Sequence, residues 1–76
     1  MLTKAQKELI AVRNNVKLRF VYELLDGSKF TTIPNLALDL AKLTGKKPIE
    51  YFNPNKKQIR KLALAAHPEL NKKVNA

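Results

Sequence analysis

Apolar positions change register several times along this 76-residue chain. Near the start they recur at helical spacing: Ala5, Leu9 and Val12 share one face with Ile10 on its flank, while Lys4, Lys7, Glu8 and Arg13 can stay wet. Thr3 followed by Gln6 fits a capping box, in which the hydroxyl and the amide each satisfy an orphan backbone donor. The pattern therefore predicts a helix over 4–13 that stops at Asn14-Asn15. The period then shortens. Val16, Leu18, Phe20, Tyr22 and Leu24 alternate with Lys17, Arg19, Val21, Glu23 and Leu25, as in a half-buried strand. Asp26-Gly27 supplies a turn and Phe30-Thr31-Thr32-Ile33 a β-favouring return, so a β-hairpin is expected over 16–33. A three-residue loop, Leu25-Asp26-Gly27, sets Glu23 opposite Lys29 and Tyr22 opposite Phe30, pairs worth about 0.2–1 kcal/mol each.

An isolated hairpin is marginal in water, so helices must cover it. Pro34 is expected to end the strand and Asn35 to cap a helix over 36–44, with Leu36, Leu40 and Leu43 on one face, Ala37 beside them and Gly45 at the stop. Pro48 suits the first turn of a short helix over 48–52, broken by Asn53-Pro54. Asn55 followed by Gln58 resembles a second capping arrangement and opens a helix over 56–66. Ile59, Leu62, Ala63 and Ala66 form its packing face, and Lys56, Lys57, Arg60 and Lys61 lie nearly opposite. Leu64 falls among the cations, where two faces alone do not account for it. Pro68 ends this helix or opens a last turn holding Leu70, and 71–76 is expected to fray. The fold class expected is α+β: one small domain with an N-terminal helix, a hairpin and three short helices.

Composition narrows the chemistry. There is no Cys, and the lone His67 cannot assemble a metal site. Six scattered carboxylates offer no convergent acid/base pair or nucleophile held by a base, so neither an enzyme nor a bound cofactor is expected. No apolar run approaches the roughly 20 residues of a membrane span, and Met1-Leu2-Thr3-Lys4 leads into a polar helix, which predicts a soluble cytoplasmic protein.

Charge gives the strongest functional signal. Fifteen Lys and Arg against six acids leave +9, and the nine cations after Asp39 face only Glu50 and Glu69, placing +7 in that half. Clustered cations suit a polyanion because each neutralised phosphate releases condensed counterions. Lys42, Lys46 and Lys47 gather around the end of the 36–44 helix, and Lys56, Lys57, Arg60 and Lys61 on the last helix could join them in one surface. A lysine near a helix C-terminus complements the macrodipole, which alone would explain Lys42. Lys56 and Lys57 sit instead in a first turn, where positive charge opposes the dipole by several tenths of a kcal/mol, so an anion is expected there. The partner expected is nucleic acid, DNA favoured over RNA, with a homodimer as a further association. The alternatives are RNA stacked on Phe20 or Tyr22, or an acidic protein met by an antitoxin-like or inhibitor-like module. A membrane surface ranks last, because the 56–66 helix lacks aromatic anchors.

The stretch Ile33-Pro34-Asn35-Leu36-Ala37-Leu38-Asp39-Leu40-Ala41-Lys42-Leu43-Thr44-Gly45-Lys46-Lys47-Pro48-Ile49-Glu50-Tyr51-Phe52 resembles helix pairs in phage- and plasmid-type repressors of the Cro and repressor helix-turn-helix class. Ala41 stands four residues before Gly45 and Tyr51 six after it, the spacing at which two helices cross closely. The resemblance implies a DNA-binding regulatory module. Lys46 departs from the motif, which buries an apolar residue there, and Asn53-Pro54 shortens the second helix. A similar pattern also occurs in a supporting helix pair of such repressors, away from the DNA. Ile49 and Glu50 are therefore given no base-reading role; Arg60 is the candidate reader and the lysines the phosphate contacts.

Overall fold

In the computed structural model, which describes residues 3–72, the alternating segment after Asn15 is a helix and the hairpin over 16–33 does not form. The elements are α1 (Lys4–Arg13), α2 (Leu18–Asp26), α3 (Pro34–Thr44), a 3-10 turn (Pro48–Tyr51), α4 (Lys57–Ala66) and a second 3-10 turn (Pro68–Asn71). Among the described residues there is no strand, only an isolated parallel bridge between Thr31 and Phe52. The α+β expectation thus gives way to an all-helical fold. Residues 73–76 of the expected frayed tail lie outside the described residues.

Val21 and Leu25 decide between strand and helix. A strand covers Val16, Leu18, Phe20, Tyr22 and Leu24 and leaves both Val21 and Leu25 in water. The helical arrangement buries Val21 and Leu24 and packs Leu18, Phe20 and Leu25, with Val16 just ahead of the helix, against the core, leaving Tyr22 39 % exposed. Each apolar side chain withdrawn from water contributes about 1.5–3 kcal/mol when fully buried, so covering one more favours the helix. Gly27 serves either structure: at φ +84° it takes the left-handed conformation that ends a helix, where the expectation put a hairpin loop. The Glu23–Lys29 pair does form, at 3.6 Å, but at a helix exit, where the Ser28 and Lys29 N–H groups both donate to the Glu23 carbonyl.

α3 is the centre of the fold, packing against α1 and both 3-10 turns through buried Leu36, Ala37, Leu40 and Ala41. Pro34 opens this helix instead of only ending a strand, with Ile33 as N-cap, and Gly45 closes it at φ +78°. The expected 48–52 helix is a single 3-10 turn. Its buried Tyr51 meets Thr44: the Thr44 hydroxyl donates to the Leu40 carbonyl at 2.9 Å and accepts from the Tyr51 hydroxyl at 2.8 Å. Buried Thr31 ties the α2–α3 connection to this turn, donating to the Tyr51 carbonyl and accepting from the Asn53 N–H, both at 2.9 Å. Asp39 ties α1 to α3: its carboxylate, largely buried, accepts from Asn14 Nδ2 at 2.9 Å and faces Arg13 at 3.5 Å. A carboxylate so placed needs both partners to offset its lost hydration.

The helices at the two ends of the chain are rotated from expectation. α1 keeps its Thr3–Gln6 capping box but buries Ile10 and Ala11, leaving Leu9 59 % and Val12 78 % exposed. α4 buries Ala63 and packs Leu64 on the core, leaving Ile59 45 % and Leu62 61 % exposed. On α1 the close approach is made by Ile10 and Ala11 and not by Ala5, Leu9 and Val12; on α4 it is made by the expected Ala63, with Leu64 in place of Ile59 and Leu62 beside it. That rotation places Leu64 in the core's flank and draws Arg60 partly inward. The Asn55–Gln58 cap does not form: Asn53 Oδ1 accepts the Asn55 N–H at 2.9 Å, and the N-cap is Lys56, with no capping side chain.

Candidate nucleic-acid interface

α1 and α2 are joined by a four-residue turn, Asn14–Lys17. Asn14 ends α1, its Nδ2 donating to the Ile10 carbonyl at 2.8 Å as well as to Asp39. Asn15 stands at φ +54°, a left-handed conformation that Asn tolerates better than most side chains. The chain then folds back, and the Val16 N–H donates to the Ala11 carbonyl at 2.9 Å. Buried Ala11 leaves room for that return. The result is two packed helices across a short turn, with Val21 and Leu24 anchoring the second.

α2 follows Lys17 as N-cap without a side-chain cap; the Phe20 N–H donates to the Lys17 carbonyl at 3.0 Å, and the Leu18 and Arg19 N–H groups, with no acceptor among the described residues, are left to solvent or a ligand. Lys17, Arg19 and Lys29 border an open groove of about 590 Å3 at this end, together with Asn15, Phe20 and Glu23. Glu23 is engaged by Lys29, whereas among the described residues Lys17 and Arg19 make no ion pair. The outward face runs from Arg19 through Tyr22, whose ring lies 4.9 Å from Lys7 Nζ, to Asp26 at the far end. Ser28, through its hydroxyl and then its backbone N–H, holds the Asp26 carboxyl below its usual range. The helix therefore offers cations at its start and acids at its finish, a polarity that admits a polyanion at the start alone.

The residues expected to bind nucleic acid are placed on the last turn of α3, the turn after Gly45, and α4. Lys42 is exposed on the last turn of α3 and borders α1 beside Arg13 and Asp39. Lys46 and Lys47 project from the turn after Gly45, where the Lys47 N–H donates to Glu50 Oε2 at 2.9 Å. Lys56, Lys57 and Lys61 are exposed at the start and along α4, and Arg60 is half-buried on its inner side. α4 packs chiefly on the second 3-10 turn, so its lysines are grouped with one another more than with Lys42. Among the described residues none of these seven cations makes an ion pair.

No protein family, curated protein or solved structure matches the chain. The reading of this surface rests on its own geometry. The grouping of Lys17, Arg19 and Lys29 at one groove was not visible in the alternating pattern, which placed them on a hairpin. The signal that finds them is Val21, Leu24 and Leu25 at helical spacing, preceded by Ala11 and Asn15 at the two sides of a close turn. Among the described residues no group of three His, Cys, Asp or Glu side chains could hold a metal ion. His67 instead lies 3.2 Å from Glu69, whose carboxyl is held below its usual range, first by its own backbone N–H. Among the described residues no helix is long and apolar enough to cross a membrane.

Proposed function

We propose that this protein binds double-stranded DNA as a cytoplasmic regulatory module, with α1–α2 as its helix-turn-helix and the start of α2 directed into the major groove. The observation that carries the reading is the uncapped start of α2, flanked by Lys17 and Arg19 on a helix whose opposite face is anchored in the core. In helix-turn-helix recognition the second helix contacts base edges with its N-terminal residues while the first crosses the backbone. Arg19 has the planar donor fork that suits guanine, and Lys17 and Lys29 suit phosphates. Lys42, Lys46, Lys47, Lys56, Lys57 and Lys61 add to the field that draws the duplex in, and half-buried Arg60 yields the reader's role to Arg19. In this reading the 33–52 segment is a supporting element, in keeping with a second helix reduced to one 3-10 turn.

Fluorescence anisotropy with a labelled duplex, repeated across salt concentrations, tests the proposal. Contact with four to six phosphates gives a log-log salt slope of roughly −4 to −5, and Arg19→Ala weakens binding. A salt-insensitive complex, or preference for structured RNA over duplex, contradicts it. The homodimer belongs to the same reading, since two copies present two α2 helices to half-sites one helical turn apart. Sedimentation equilibrium with and without duplex tests that part.

A further inference from the structure

We propose that the groove between α1 and α3 docks an acidic amphipathic helix of a partner protein, independently of the DNA-binding reading. The groove encloses about 240 Å3 over a floor of Leu9, Ile10 and Leu43. Leu43 is 40 % exposed, Leu9 is more so, and Val12 continues the outer stripe of α1 from Leu9. Single exposed apolar side chains are ordinary, but two exposed leucines, Leu9 and Leu43, facing one concavity over buried Ile10 form an unfilled apolar seat, with Val12 beside it on the same stripe of α1.

The rim selects the occupant. Arg13 stands on the α1 wall and Lys42 on the α3 wall, with Asp39 between them. Asp39, on α3, is engaged by Asn14 and Arg13, and Glu8, the acid of α1, lies 3.9 Å from Lys4. Lys42 makes no ion pair among the described residues, so the rim is left with surplus positive charge. DNA would satisfy that charge and leave the leucines wet. A second copy would cover the leucines but bring another +9 of the same sign. An acidic helix with leucines at i, i+3 or i+4, and i+7 meets both demands in the helix-in-groove mode.

The test uses the full chain, isotope-labelled, and two synthetic helical peptides with leucines in the same register, one carrying glutamates between them and the other lysines. The glutamate peptide should shift the Leu9, Val12 and Leu43 methyl resonances saturably, with the lysine peptide at least about tenfold weaker. Leu9→Ser combined with Leu43→Ser should reduce glutamate-peptide affinity at least about tenfold while thermal melting shows the fold intact, and Lys42→Glu should reduce it severalfold. Lys17→Glu, which weakens DNA binding in the reading above, should leave peptide binding unchanged. Shifts confined to other surfaces, equal binding of the lysine peptide, or self-association abolished by Leu9→Ser would each overturn the assignment.

Discussion

α2 and α4 are nearly equal in length, nine and ten residues, and each begins at a lysine with no capping side chain, yet the fold holds them differently. α2 anchors Val21 and Leu24 in the core and leans three further apolar side chains, Leu18, Phe20 and Leu25, on it. α4 commits buried Ala63 and part of Leu64, and its Ile59 and Leu62 face water. The same electrostatic feature, a cationic helix start with free donors, is thus built on a fixed support in one place and on a peripheral one in the other. Recognition of bases needs side chains held to a fraction of an ångström by their supporting shell, which favours α2 as the reading helix and leaves α4 a contribution to the field.

The most severe way to probe that contrast is through stability. Leu24→Ala should cost about 2–5 kcal/mol in urea unfolding, whereas Leu62→Ala should stay within about 0.5 kcal/mol. Equal costs would mean that α4 is as firmly seated as α2. In DNA binding, Arg19→Ala should cost about 1–3 kcal/mol and relax preference at one base pair. Lys57→Ala with Lys61→Ala should instead weaken binding uniformly across sequences and flatten the salt slope by at most about two. Within α4, Leu64→Ala should destabilise by about 1–2 kcal/mol, more than Leu62→Ala, because only Leu64 packs on the core.

How much of this was legible in the sequence follows from what each signal constrains. Glycines located ends, Gly27 and Gly45 each closing a helix, and Thr3 with Gln6 starts α1, but the caps expected from Asn35 and from Asn55 with Gln58 do not form. Gly27 could not say which element it ended, since a left-handed residue serves both hairpin and helix. Alternation misled from Val16 to Leu24 because every second residue was apolar while Val21, Leu24 and Leu25 carried a helical period as well. The face of α1 was misread because Leu9 and Val12 look like core on a helical wheel, whereas Ile10 and Ala11 made the contact; on α4 the expected Ala63 is buried, but Leu64 and not Ile59 or Leu62 packs beside it. The charge asymmetry of the second half was plain, but it pointed to lysines. The candidate reading surface lies in the less basic half, where Lys17 and Arg19 become neighbours of a free helix start only once α2 exists.

The smallest effect concerns pH. The Asp26 carboxyl is held below its ordinary 3.8, so whatever it contributes is present above that value and is lost as the pH falls through the lowered one. Asp26→Asn should therefore leave urea stability at pH 7 slightly reduced and flatten its decline only at the acid end. A change in slope near neutrality would point to another group.

The claim that α2, and not α4, faces DNA is tested most directly by mapping amide resonances of the labelled chain during titration with a duplex of about 20 base pairs, long enough for two half-sites. The account predicts saturating shifts at Lys17 to Glu23 that Arg19→Ala suppresses, with weaker, salt-sensitive shifts along Lys57 to Lys61. Shifts concentrated on Lys57 to Ala66 and indifferent to Arg19→Ala would contradict it.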